Sequence, residues 1–208
     1  MKAARRIPER RKRTPDALGA ASLLRLIWLA SPALPVGGFS YSEGLEAAVD
    51  AGLVTGESNA GDWLLDQLHL GLARSELAVM AKAFRAWERD DRDSAVSLNA
   101  WVASTRESSE LRQQSEQMGR SLALWLANAG RDDPRIAVLA ALAPSPTWPI
   151  AYALAAHCSG APLQCAASAY AIGHVGDGAS AASTAMRGSS RPALASQRAS
   201  ERPICSLC

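Results

Sequence analysis

No stretch of this 208-residue chain alternates apolar and polar residues over the length of a strand, and its large apolar residues recur instead at helical spacing. Leu23, Leu24, Ile27 and Trp28 stand at i, i+1, i+4 and i+5, one stripe of a helix running from about Asp16 to Ala30 and ended by Ser31-Pro32. A cap at Ser58 or Asn59 opens the stretch carrying Trp63, Leu64, Leu68 and Leu72, and the pattern resumes through Leu77, Val79, Met80, Phe84 and Trp87. Periodicity leaves open whether residues 59–88 are one helix or two broken near Gly71. Behind the polar turn Asp90-Asp91-Arg92-Asp93, a helix starting near Ser94 carries Val96, Leu98, Trp101 and Val102. Leu111, Met118, Leu122, Trp125 and Leu126 share a face of the next, which Gly130 ends. Asp133-Pro134 opens a short helix, and Pro146-Thr147-Trp148-Pro149 opens another that runs to about Cys158. The fold class expected is therefore all-α, a compact bundle of about seven to eight helices.

Length fits one domain with tails, and 48% apolar against 20% charged residues is a globular balance. No apolar run reaches the ~18 residues a membrane span requires. The formal charge of +2 hides an uneven distribution. Lys2, Arg5, Arg6, Arg10, Arg11, Lys12 and Arg13 face only Glu9 in residues 1–13, so the amino-terminal arm carries +6. Residues 170–208 add +2, which leaves the middle of the chain at −6. An acidic globule argues against a nucleic-acid-binding body, while the arm alone would touch polyanions weakly. The arm lacks the apolar stretch of a secretory leader and reads as a solvated, disordered segment over residues 1–15, with the chain placed in the cytoplasm.

Chemistry-bearing residues are sparse. Cys158, Cys165, Cys205 and Cys208 all fall in the last quarter, the first pair too widely spaced for a zinc knuckle and set in an apolar helical pattern. His69, His157 and His174 are dispersed, no nucleophile stands with a recognisable base, and no phosphate-binding loop ending in Gly-Lys-Ser/Thr occurs. No metal site, no cofactor and no catalytic centre are expected.

The most specific stretch is Ala33 to Glu46. Pro35 fixes φ, Gly37-Gly38 permits angles closed to other residues, and Ser40 followed by Glu43 has capping-box spacing, so a helix should restart at about Tyr41 and run to about Asp50. Phe39 can act as a staple to that helix. So restricted a loop, mounted between helices and carrying a Tyr-Ser-Glu cluster, suits recognition, with a purely structural role, Phe39 as staple and the Tyr41 ring turned inward, as the alternative.

The run Pro35-Val36-Gly37-Gly38-Phe39-Ser40-Tyr41-Ser42-Glu43-Gly44-Leu45-Glu46 resembles the signature of the UreF family of urease accessory proteins, and the block from Ser104 to Leu122 is similar to that family's central helical motif. The likeness covers roughly residues 22–170. It implies an all-helical, dimeric, non-catalytic chaperone or scaffold. Such a protein binds the UreD/UreH accessory protein, recruits the UreG GTPase and assists nickel insertion into the urease apoprotein, without itself needing to ligate nickel. Carried onto this chain, the partner-binding residues would be Pro35, Gly37, Gly38, Phe39, Ser40, Tyr41, Ser42, Glu43, Gly44 and Glu46, with Arg106, Glu107, Glu110, Arg112, Ser115, Met118 and Gly119. Read as residues alone, Arg106/Glu110 and Arg112/Glu116 are i, i+4 pairs of a solvated helix face, and Gly119 lets a neighbouring backbone come close. The competing function is a generic helical interaction module whose basic arm binds membrane or nucleic acid.

After about Tyr170 the composition turns to Gly, Ser, Ala and Arg, too poor in apolar residues to offset the cost of ordering. Residues 171–208 are expected to be a disordered low-complexity tail. A reading frame displaced near residues 158–170 would produce so abrupt a change, and a natural tail is its rival.

Overall fold

The computed structural model describes residues 18–37, 45–67, 69, 72, 74–129, 132–174 and 176. These form helices α1 (Ala20–Leu29), α2 (Leu45–Asp50), α3 (Glu57–Gln67), α4 (Glu76–Glu88), α5 (Arg92–Thr105), α6 (Ser109–Asn128), α7 (Pro134–Ala140) and α8 (Trp148–Cys158). A further helix, α9, covers residues 163–174. No strand occurs among the described residues, and no helix among them is long and apolar enough to cross a membrane.

Helix α8 is the axis. Its residues from Pro149 to Ala156 are buried without interruption, because α1, α4, α5, α6 and α7 all pack against it. A helix apolar all round belongs in this position. Alanines at 151, 153, 155 and 156 let the neighbours approach, and Ile150 and Leu154 share one buried core with Met80, Trp87, Leu122 and Leu139. The Trp87 indole, fully buried, donates to the Ile150 carbonyl at 3.2 Å, so the largest side chain of α4 is satisfied within the core.

Several helix ends follow the local chemistry. Asp91 caps α5 by accepting from the Ser94 amide at 3.0 Å and its hydroxyl at 2.7 Å, so the helix begins two residues ahead of Ser94, at Arg92. The span 59–88 is two helices, α3 and α4. The first starts at Glu57, and Asn59 folds back to accept from the Thr55 and Gly56 amides. Gly52, at φ 71°, ends α2, with the Leu53 and Val54 amides donating to Ala48. Ala48, Val54 and Ala60 then form a small satellite core separate from the main one. Asp133 caps α7 through the Arg135 amide and is held by the Arg135 guanidinium at 2.7 Å, while the same arginine donates to the Trp87 carbonyl at 2.8 Å and ties α7 to the end of α4.

The stripe read from α1 faces the other way. Leu26 and Leu29 enter the core, while Leu23, Leu24, Ile27 and Trp28 are exposed. The reason is topological: α1 touches the bundle chiefly along α8, and a single neighbour covers only a narrow strip of a helix. The carboxyl end also extends beyond the sequence reading. Helix α9 passes Tyr170, which is itself buried, and brings Gly173 against the Ala30 backbone at the end of α1.

Candidate functional site

The block from Ser104 to Leu122 is not one continuous helix. Arg106 is extended (φ −69°, ψ 135°), and α6 begins afresh after Ser108, whose hydroxyl accepts from the Leu111 amide at 3.2 Å. Because the chain breaks here, Arg106 and Glu110 do not share a helix face and do not pair. Arg106 turns inward instead and forms an ion pair with Glu76 at the start of α4. Its Nη2 also donates to the Ser115 hydroxyl at 3.4 Å, and its Nε is buried without a partner among the described residues. Burial works against the guanidinium charge, yet the Glu76 carboxylate outweighs it and raises the pKa above the ordinary value. A guanidinium so occupied is a structural ion-pair partner.

That ion pair is the centre of a network. Tyr170, on α9, donates to the other Glu76 oxygen at 2.6 Å. Ser115 accepts from the Trp148 amide at 3.1 Å, so the start of α8 is tied to α6. The Trp148, Tyr152 and Tyr170 rings pack together, with Tyr152 and Tyr170 edge to face at 4.8 Å between centroids. A chain with only eleven aromatic residues has placed three of them behind this break.

Gly119 and Asn99 set the backbone leading into α8. A Cβ on Gly119 would lie 2.0 Å from the Pro146 carbonyl oxygen and 2.8 Å from the Thr147 carbonyl carbon, so only glycine admits this crossing. Asn99, 1% exposed, donates to the Pro144 carbonyl at 2.8 Å and the Ser145 carbonyl at 3.1 Å, and accepts from the Thr147 amide at 2.8 Å and hydroxyl at 3.0 Å. Both termini of the Asn99 amide are used, and residues 144–147 have a fixed path over α6. Sequence reading passed over Asn99; a lone amide within a helical apolar pattern was its only signal.

The two motif blocks meet in space. Gly37, at φ 81°, sits where a Cβ would lie 3.0 Å from the Gln117 amide nitrogen on α6, so the loop that begins at Pro35 reaches the outer side of that helix. Pro35 is exposed between the buried Leu34 and Val36. Gly38, Phe39, Ser40, Tyr41, Ser42, Glu43 and Gly44, the expected helix start at Tyr41 and the side chain of Glu46 lie outside the described residues. Of the remaining candidates, Ser115, Met118 and Gly119 are buried and committed to contacts within the fold. Glu107, Glu110 and Arg112 are exposed. Arg112 and Arg120 flank Glu116 at 3.9 and 3.7 Å, pairs too long and too exposed to contribute more than ~0.5 kcal/mol each. Glu110 lies in the first turn of α6, where its own backbone amide and the Ser108 and Ser109 hydroxyls hold it below the ordinary carboxylate range.

Beside Arg106 is a pocket of about 110 Å³ bounded by the start of α4, the end of α5, the break and Pro149 of α8. Among the described residues no group of three or more His, Cys, Asp or Glu is arranged to hold a metal ion. The Cys158 thiol donates to Asp133 at 3.3 Å, and Cys165 is half-buried on α9. Cys205 and Cys208 lie outside the described residues.

A model of the UreF family matches residues 54–190, which takes in the whole α5–α6 block and extends past Tyr170. A protein of Methylibium petroleiphilum named urease accessory protein UreF is 60% identical over 165 residues, 78% of this chain and 70% of its own. A protein of the same name from a Polaromonas species is 57% identical over 157 residues, 75% of this chain and 66% of its own. A bifunctional urease accessory protein UreEF from Bordetella bronchiseptica is 39% identical over 187 residues, which is 89% of this chain and 42% of that longer protein.

Proposed function

The chain belongs to the UreF family of urease accessory proteins, a non-catalytic family, and from that premise we propose that it is a cytoplasmic scaffold for urease maturation. In this reading it binds the UreD/UreH accessory protein and recruits the UreG GTPase, so that nickel reaches the urease apoprotein through the assembled partners. It acts as a homodimer within that complex.

The observation that carries the proposal is the meeting of Gly37 with Gln117. Two sequence blocks separated by most of four helices, α2 to α5, come together on the outward side of α6, next to exposed charges at Glu107, Glu110 and Arg112. The surface is backed by a core that holds it rigid: Gly119 under the Pro146 backbone, Asn99 across residues 144–147, Arg106 on Glu76. A charged face on a rigid backing, with the turn at residues 35–37 at its edge, suits binding to other proteins. The bifunctional relative, in which a UreF-like stretch shares one chain with a second accessory role, supports a protein that acts in contact with other accessory proteins.

Two measurements test this. Expressed in cells whose urease gene cluster lacks its own UreF gene, the chain should restore urease activity, and failure to do so would reject the assignment. Charge reversal at Glu110 and Tyr41→Ala should each lower co-purification with the UreD/UreH and UreG proteins while circular dichroism stays helical. Unchanged yields would remove those two residues from the contact surface.

A further inference from the structure

We propose that the pocket at the α5–α6 break is a socket for a basic side chain, arginine above all, presented by a protein partner. The inference rests on the chain acting as a partner-binding scaffold and adds the chemistry that one point of the surface recognises.

Size comes first. At about 110 Å³ the pocket is well under the ~300 Å³ at which nucleotide- and cofactor-sized sites begin, so its guest is of side-chain dimensions. The walls then narrow the choice. Val102 and Pro149 give an apolar floor, and the Trp101 indole stands at the rim with 49% of its surface open to solvent. Glu76, Arg106 and Glu107 also line it, a net charge of −1. Arg106 is neutralised by Glu76, and Tyr170 donates to that same carboxylate, so the pair presents little free charge to a guest. Glu107 is exposed at the edge of the pocket, where its charge also acts on Arg106.

Each class of guest meets a different outcome. An acidic side chain would face two carboxylates and a guanidinium already engaged. A purely apolar one would fill the floor and make no use of the Glu107 charge at the edge. A long aliphatic stem ending in a cation matches every wall: methylenes on Val102 and Pro149, the cation over the indole face, and an ion pair with Glu107. A guanidinium gains more than an ammonium, because it is planar, stacks on indole and engages a carboxylate through two donors. An exposed tryptophan beside a side-chain-sized cavity is also the residue type in which binding energy concentrates at protein interfaces.

The test is a titration of the full chain with N-acetyl-arginine amide, followed by NMR at the indole Nε1–H of Trp101, assigned through its loss in Trp101→Phe. The expected result is a saturable shift at that indole, weakened about tenfold in Glu107→Gln and absent with N-acetyl-glutamate amide at the same concentration. Glu107 is exposed, so its substitution leaves the fold intact. No saturable shift, an equal response to the glutamate derivative, or binding indifferent to Glu107→Gln would each overturn the proposal. These outcomes are independent of the urease complementation above: a chain that restores urease but ignores arginine keeps the scaffold and loses the socket.

Discussion

Helices α1 and α8 are alike in length and apolar character, yet α8 buries every residue from Pro149 to Ala156 while α1 turns Leu23, Leu24, Ile27 and Trp28 to solvent. The difference is the number of neighbours. Five helices pack against α8, while α1 meets α8 along its length and α9 only at its carboxyl-terminal end, beside Ala30. Apolar periodicity therefore states that a face is fit to be covered, and chain topology decides which faces are. In α1 the two leucines at positions 26 and 29 sit under the contact, while four larger or equal side chains are left outside it.

The comparison breaks most sharply where α8 enters the core. Gly119→Ala places a methyl group 2.0 Å from the Pro146 carbonyl, where backbone rather than a flexible side chain must move, and should cost more than ~3 kcal/mol by urea denaturation. Within α8, Ile150→Ala removes a fully buried side chain and should cost about 3 kcal/mol. Asn99→Ala leaves two carbonyls and an amide of residues 144–147 without their partner and should cost about 2 kcal/mol, with faster amide exchange confined to that loop.

A smaller effect is expected in acid, at the far end of α8. Hydrogen bonds from the Arg135 guanidinium hold Asp133 well below its ordinary value of 3.8, overcoming the opposing effect of burial. The folded carboxylate binds its proton less readily than the unfolded one, so its contribution is full above the ordinary value and is lost as pH falls toward the folded one. Asp133→Asn should flatten the stability profile between about pH 5 and 2 and leave its shape near neutrality unchanged. On the other side of the comparison, Leu24→Ser in α1 should move stability by less than ~0.5 kcal/mol. A loss as large as that of Ile150→Ala would mean that the α1 face is covered in solution.

Most of the helices were legible because their signals are local. The capping acid Asp91, the Asp133-Pro134 start and the glycine stop at residue 52 each act within one turn. Gly119 was legible as a point of close approach, although the backbone it admits is the chain's own. Two helices were legible here, but not where the second begins: Arg106 was read onto its face as a partner of Glu110, and the Ser108-Ser109 pair ahead of Glu110 was the cap signal to weigh. The Arg106–Glu76 pair and the Asn99 network join residues 30 or more positions apart, and no pattern within a helix announces such partners. Helix α9 was hidden by its alanine-rich composition. It is placed by Tyr170 on Glu76 and Gly173 on Ala30, contacts that exist only once the bundle has formed.

Glu76 is shared between a side chain thirty residues downstream and one almost a hundred residues downstream, and this dictates an order of events during synthesis. Helices α4 to α6 can meet as soon as they emerge, but the carboxylate that orients Arg106 acquires its second donor only after Tyr170 has left the ribosome. A nascent chain halted before that point would carry a loosely set elbow between α5 and α6, and the maturing surface would be completed only when α9 docks.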